Sequence, residues 1–473
     1  MSITATASTN GREADARQSV SQSPPPMNIC IMIVGTRGDV EPFVAIAKRL
    51  QADGHRVRIA THAVYRDLVA EQHGIEFYPL GGDPKVLSAY MVKTGGKIAP
   101  LNPKVLLQDV PRNVRMIKDI CYSTWPAATA PDPDGDGEPF RAHAIISNPV
   151  TYGHVHVAER LGVPLHIMSP QPCVPTSAFP HPLSSRARSG AVDMLRLSKR
   201  NLRSYRAVYL LMWFGSMRTV NRFRAEVLGL RKIRLRDRGH NLLLQRSVPH
   251  SFLWSPALVP QPADWRDIYD VVGTATLRQA EPKTGTGSEY SPSPELSAFL
   301  AQGAPVFVGF GSMVIDAPQK TTAIIVEAAR LANVRVLIQS SWSDMVLPHT
   351  ERDEHSRSSV CFVGDCPHDW LLPQVSAVVH HGGAGTTAAG LLAGKPTLVV
   401  PFFSDQFFWG RAVATAGAGP DPCRIRALTV QKLRAAFESL QCATTRATTL
   451  RIRDAMLKED GVEGAVASFY HHL

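Results

Sequence analysis

Val379-His380-His381-Gly382-Gly383-Ala384-Gly385-Thr386-Thr387-Ala388-Ala389-Gly390 decides how this chain is read. A largely apolar run, Val375 to Val379, leads into it, and a helix-like run, Thr386 to Leu392, leaves it. Pro396 to Val400 reads as the next strand, and Phe402-Phe403-Ser404-Asp405-Gln406 as a polar loop. The pattern is strand, glycine-rich turn, helix, strand, the unit of a parallel sheet. Small residues let backbone N–H groups approach an anion, and the start of the following helix adds a favourable dipole. Gly382 to Thr387 therefore predict the seat of a phosphorylated ligand. The turn is neither the dinucleotide fingerprint G-x-G-x-x-G nor a P-loop ending in Lys-Ser/Thr.

Working outward, the same unit recurs. Pro305 to Phe310 reads as a strand, Gly311-Ser312-Met313 as a turn, and Thr321 to Leu331 as a helix, with further strands at Val334 to Gln339 and Val360 to Val363. Near the amino terminus, Asn28 to Gly35 is apolar and β-branched, as a buried parallel strand should be. It ends at Gly35-Thr36-Arg37-Gly38-Asp39, and an amphipathic helix runs on through Phe43, Ile46, Ala47 and Leu50. Arg56 to Thr61, Ile75 to Leu80, Ala142 to Ser147 and Pro164 to Met168 continue the strands, with a helix over Tyr65 to His73. Gly81 to Pro131 breaks the pattern, and loop and helices there should cover the mouth of the sheet. Arg186 to Gly229 is helical in tendency and rich in aromatics and methionine.

The fold class predicted is α/β, with two Rossmann-like domains facing a cleft. The expected boundaries are a disordered leader at 1–26, an acceptor domain at 27–280 and a linker at 281–298. A donor domain at 299–445 and a helix at 446–473 that packs back toward the first domain complete the chain. Lys plus Arg number 51 against 40 Asp plus Glu, a net charge of +11. That balance is compatible with an anionic donor or an acidic membrane, and the absence of a basic, aromatic-studded block argues against nucleic acid. Seven cysteines without paired ligand spacing exclude a zinc site and fit a reducing, cytoplasmic compartment. Asp132 and Asp134 sit in a proline- and glycine-rich loop, and their spacing does not make a calcium loop. No apolar run reaches the length of a membrane span.

Gly35-Thr36-Arg37-Gly38-Asp39-Val40-Glu41-Pro42, Asn148-Pro149, Phe310-Gly311-Ser312-Met313, Pro367-His368-Asp369-Trp370-Leu371, the glycine-rich turn and Asp405-Gln406 together resemble one family. It is the UDP-sugar-dependent glycosyltransferases of GT-B fold, and the sterol 3-beta-glucosyltransferase branch above all. The resemblance spans Met27 to Pro420. It implies an inverting transfer from UDP-glucose to a hydroxyl of an apolar acceptor, with no metal and no cofactor beyond the sugar donor. Because the resemblance begins at Met27, the long amino-terminal lipid-binding modules of some fungal sterol enzymes are not expected.

Asp39, at the carboxyl end of the first strand, is the candidate base, with an ordinary helix cap as the alternative, and the helix start should lower its pKa. Plant relatives place a histidine near this point, paired to an aspartate, and Thr36-Arg37-Gly38-Asp39 departs from that dyad. His154 and His156 are runners-up with structural roles expected. On the resemblance His381 is expected on the diphosphate, with His380 supporting the loop and Gly311, Ser312, Gly383, Gly385, Thr386 and Thr387 as further donors. Asp405 and Gln406 should grip the sugar. Cys366 should frame the uracil, while Trp370 is expected in the core. Phe179, Tyr209, Trp213, Phe214 and Met217 are the candidate acceptor wall, with ordinary helix packing as the alternative. Sterol and flavonoid or other phenolic acceptors both remain open, as does a UDP-GlcNAc donor. A non-catalytic lipid carrier on the same scaffold is the reading from another class. Peripheral contact with an anionic membrane is a further expectation from the charge.

Overall fold

The computed structural model describes residues 24–86, 94, 103–135, 137–184, 194–277, 290–311, 313, 315–340, 345 and 358–473. Strand β1 (Asn28–Met32) is apolar because both its faces are covered, Ile29 and Ile31 on one core and Cys30 and Met32 on the other. Helix α1 (Arg37–Ala52) turns Val40, Phe43, Val44, Ala47 and Leu50 inward. β2 (Arg56–His62) and β3 (Glu76–Leu80) follow. Between them the expected helix over Tyr65 to His73 is only a 3-10 turn, Ala63–Tyr65, and one π turn, Asp67–Glu71. Next come α2 (Pro103–Thr129), β4 (Ala144–Ser147), α3 (His154–Leu161) and β5 (Leu165–Ser169). α4 (Met194–Glu226), β6 (His250–Phe252) and β7 (Tyr269–Val271) close the sheet. The stretch expected to hold loop and helices carries the 27-residue α2, which runs on through Pro111 and Pro126.

The seven strands are all parallel, in the order β3-β2-β1-β4-β5-β6-β7. The order reverses between β1 and β4, where Ile31 pairs with Ile146. In such sheets ligands bind outside the carboxyl ends of the strands, at the reversal. The Gly35 to Asp39 turn leaves β1 there.

The second domain repeats the plan. The helix α5 (Pro294–Ala301) starts inside the expected linker, because Ser293 caps it by accepting the Leu296 N–H at 3.2 Å. Residues 281–289 lie outside the described residues. β8 (Val306–Gly309), α6 (Pro318–Ala332), β9 (Val336–Gln339), β10 (Val360–Val363), β11 (Ala377–His380), α7 (Ala384–Leu392), β12 (Thr397–Val399) and α8 (Gln406–Thr415) follow. Five parallel strands run in the order β10-β9-β8-β11-β12, and the reversal lies between β8 and β11. The glycine-rich turn leaves β11 at that point. This is a pair of Rossmann-like domains.

α9 (Val430–Gln441) and α10 (Ala443–Met456) stay with the second domain, α10 burying Ile452 and Met456 beside α7. α11 (Gly461–His471) crosses back. It adds Val462, Ala465, Val466 and Phe469 to the core under β1 and α1. Arg49 Nε donates to Glu463 at 2.7 Å, and the Tyr470 hydroxyl donates to Asp53 at 2.7 Å. A second bond between domains is aromatic. Trp409 of α8 sits in one cluster with Phe252, Trp254 and Trp265, its ring 6.0 Å from that of Trp254.

Candidate functional site

The first turn is held by Asn148, just past β4. Its side-chain amide donates to the Val34 carbonyl at 2.7 Å, its oxygen accepts the Val34 N–H at 3.4 Å, and Thr151 donates to that oxygen at 2.8 Å. These bonds fix where the chain leaves β1. Gly35 then takes φ +153°, and a Cβ there would collide with the Asp39 carboxylate, so only glycine fits. Asp39 Oδ2 accepts the Thr36 N–H at 2.7 Å and the Thr36 hydroxyl at 3.0 Å. No donor among the described residues reaches Oδ1. Capping therefore occupies one oxygen of the carboxylate and leaves the other available. Burial raises the Asp39 pKa, and the two Thr36 bonds only partly offset it. The expected lowering is reversed because desolvation outweighs the helix start.

The second turn is built around two histidines. Buried His380 accepts the Gly382 N–H on Nδ1 at 2.9 Å, which shapes the turn. Gly382 sits at φ +94°, where a Cβ would lie 2.5 Å from Val399 Cγ1. The His381 ring lies between two glycines. A Cβ on Gly383 would stand 2.7 Å from its Nε2, and one on Gly311 would stand 3.2 Å from its Cε1. His381 Nδ1 is buried and has no hydrogen-bond partner. Burial, and then the neighbouring His368, push the His381 pKa down to about 4. At neutral pH the imidazole is therefore uncharged, with a polar atom that no described residue engages. Gly383 caps α7, leaving Gly385 and Thr386 on its first turn. Thr387 is spent on the fold: it is buried, and its hydroxyl donates to the Gly383 carbonyl at 2.8 Å. Ser312 lies outside the described residues.

Asp405 opens α8 and is buried, with Trp409 Nε1 donating to its Oδ2 at 3.1 Å. Its pKa is pushed up to about 6, by burial first and by Asp39 second. The charge of Asp39 thus reaches Asp405 across the domains. The Glu41 carboxylate favours the charged form of His368 across the same gap. Gln406 is turned into its own loop, its Oε1 accepting the N–H groups of Phe402 at 2.7 Å and Phe403 at 3.1 Å. In this conformation Gln406 braces the residues around Asp405 and offers no oxygen to a ligand.

The remaining candidates separate. Cys366 is buried, with Tyr290 against its thiol, and Trp370 packs on Tyr290 at 4.8 Å in the same core. Phe179 meets Phe408 of the second domain edge-on at 5.0 Å. The Tyr209 hydroxyl donates to the Cys173 carbonyl, which ties α4 to the loop after β5. Trp213 packs under Gly239, and Met217 is half-buried. Phe214 is 57% exposed on the outer face of α4, so the five side chains do not form one wall. At about 100° per residue, neighbours on a helix face different ways. His154 and His156 are buried and held neutral, His156 by burial and by Arg224, whose Nη1 is 2.9 Å from its Nδ1. Asp132 and Asp134 are both engaged by Arg66, at 2.8 and 2.9 Å. Among the described residues no His, Cys, Asp and Glu cluster is placed to hold a metal ion.

Three residues of the site went unassigned in the sequence. Asn148 and His368 stand inside quoted motifs. Trp409 stands four residues after Asp405, the spacing that puts two side chains on one face of a helix.

Residues 29–180 match the model of the glycosyltransferase family 28 N-terminal domain. Residues 346–466 match that of the erythromycin biosynthesis protein CIII-like C-terminal domain. A sterol 3-beta-glucosyltransferase of Arabidopsis thaliana is 45% identical over 95% of this chain and 66% of its own length. A second from the same plant is 43% identical over 96% of this chain and 69% of its own. One from Yarrowia lipolytica is 31% identical over 94% of this chain but only 29% of its own. The chain thus spans about two thirds of the plant relatives and under a third of that fungal one. Among solved structures, the glycotransferase of kitacinnamycin covers 95% of this chain at 19% identity, with a TM-score of 0.62. The calicheamicin glycosyltransferase covers 95% at 17% identity, with a TM-score of 0.57. These neighbours carry the GT-B fold of two facing Rossmann-like domains.

Proposed function

The chain belongs to the glycosyltransferase family that contains the plant sterol 3-beta-glucosyltransferases, and from that premise we propose that it transfers glucose from UDP-glucose to a sterol hydroxyl. The transfer inverts the anomeric centre and yields a β-glucoside and UDP. The observation that carries the reading is the electrostatic coupling of Asp39, at the reversal of the first sheet, to Asp405, beyond the carboxyl end of β12 in the second.

The acceptor hydroxyl lies against Asp39 Oδ1. As its oxygen forms the new bond to the anomeric carbon, its proton passes to that carboxylate oxygen. The bond from the anomeric carbon to the diphosphate breaks, and the electron pair leaves with UDP. A raised pKa suits this work, because a stronger base holds the proton better. Asp405 accepts from sugar hydroxyls. His381 donates to the diphosphate, together with backbone N–H groups at the start of α7, and so stabilises the charge that grows on the leaving group. The +11 balance supports peripheral contact with an anionic membrane, where such an acceptor resides.

The test is product formation from UDP-glucose with a sterol set and a flavonoid set, beside Asp39→Asn. Glucosylated sterol that disappears in the variant is the expected result. Glucosylation of flavonoids alone overturns the acceptor, and full activity in the variant overturns the base.

A further inference from the structure

We propose that the outer face of α4, with the loop over residues 230–238 beside it, is a docking surface for an anionic lipid bilayer. The helix buries Tyr205, Val208, Trp213, Ser216, Val220 and Phe223. On the opposite side Arg203, Ala207, Leu211, Phe214, Arg218 and Arg222 follow one another at spacings of three and four, and all are exposed. That spacing is a single helical face. Its middle is apolar and its ends are cationic. Leu211 is 43% exposed and Phe214 57%, which nothing in the packing of the domain requires.

The loop extends the same surface. Asn221 of α4 grips Ile233, donating to its carbonyl at 3.0 Å and accepting its N–H at 2.7 Å, while Gly239 packs on Trp213. The segment therefore runs antiparallel along the helix. It carries Arg231, Lys232, Arg234, Arg236 and Arg238 against the single acid Asp237. Leu235, 75% exposed, projects from among them. Arg231 is paired to Asp237 at 3.4 Å, whereas Arg218, Arg234, Arg236 and Arg238 make no ion pair among the described residues.

Arg222 is paired to Glu226 at 3.5 Å. Apolar tips flanked by cations, four of them without an ion pair among the described residues, fit a surface that is negative outside and hydrocarbon within, and the excess of arginine selects anionic lipid over neutral. A protein partner would cover the apolar tips without needing so many free cations. A nucleic acid would use the cations and leave Leu211, Phe214 and Leu235 in water. The inner face of α4 meets the loop after β5, where Tyr209 holds Cys173 and Asn201 donates to the Ser177 carbonyl at 2.8 Å. A bilayer on the outer face thus lies one helix away from the loop that carries Phe179. The role in acceptor delivery rests on the function proposed above; the binding itself does not.

The test is co-sedimentation of the full chain with phosphatidylcholine vesicles, with and without phosphatidylserine. Arg218→Glu with Arg222→Glu, and Leu211→Asp with Leu235→Asp, are compared with the parent, with thermal melts to verify folding. The parent should pellet with the anionic vesicles only, and the arginine pair should weaken binding at least about tenfold. The leucine pair should weaken it severalfold, including at high salt, where the charge part is screened. Glucosylation of a sterol supplied in cyclodextrin should be unchanged in both, and that of a vesicle-borne sterol should fall. Loss of all glucosylation in the parent, with sedimentation as expected, would sink the activity and leave the surface standing. A parent that stays in the supernatant, variants that pellet like the parent, or binding to RNA in preference to the vesicles overturns the surface.

Discussion

Asp39 raises the pKa of Asp405 from the opposite domain, second only to burial in bringing it to about 6. Asp39→Asn removes that push. The expected outcome is a fall of about 10²- to 10⁴-fold in kcat, the usual worth of a positioned base. The acid limb of UDP-glucose affinity should also move to lower pH, because Asp405 then ionises more easily. Calorimetric binding between pH 4.5 and 7 checks this. An unmoved limb would show that the two carboxyls do not communicate.

Asp405→Asn should stabilise the protein at pH 8 and weaken its donor binding. The folded-state pKa, about 6, lies above the ordinary carboxylate value of 3.8, so folding favours the protonated acid. That contribution is complete below 3.8 and is lost as pH rises through about 6. Asparagine escapes the loss and still accepts from Trp409. The gain at pH 8 is on the order of 2–3 kcal/mol and vanishes near pH 4. Melts at the two pH values decide it, and equal shifts at both would contradict the assignment.

His381, with a pKa near 4, is neutral above about pH 5 in the empty protein. A diphosphate beside it favours the imidazolium, so UDP binding near pH 5.5 should take up protons, measurable by titration in buffers of different ionisation enthalpy. His381→Ala should abolish the uptake and cost about 10²- to 10³-fold in kcat/KM. Gly383→Ala keeps the imidazole but drives a methyl to 2.7 Å from Nε2. It should lose most of the same activity without a change in stability comparable to that of a core variant.

Phe469→Ala removes a buried ring of α11 from the core beneath β1, at a cost of about 3–5 kcal/mol. Tyr470→Phe should cost less, about 0.5–1.5 kcal/mol, since Asp53 keeps its pairing to Arg49 at 2.5 Å. Urea unfolding of the two variants checks the ranking. A milder effect for Phe469→Ala would mean that α11 merely rests on the first domain.

The two Rossmann-like domains were legible because parallel strands buried on both faces write themselves as apolar runs, and because glycine turns mark their ends. Asp39 stands out for the same reason, since it follows the first strand, whereas His381 and Asp405 stand out through the family resemblance. What the sequence withheld was mostly direction. Gln406 and Thr387 are polar residues in a polar motif, yet both spend their side chains on nearby backbone. Phe214 looked like its neighbour Trp213 until the helix turned it outward. The pKa of Asp39 went the other way from its local context, since a helix start is read from adjacent residues and burial comes from distant ones.

The first domain contains residues from both ends of the described chain: Ile31 and Phe469 share one core. A ribosome exposes the first β-strands well over 400 residues before it makes that partner, a wait of roughly half a minute at the usual rate of synthesis. During that interval Val40, Phe43 and Ile46 have no α11 to cover their side of the sheet. The first domain therefore matures last although it is made first, and a message cut short anywhere before α11 yields a nascent chain with an open seam, a substrate for chaperones and proteases.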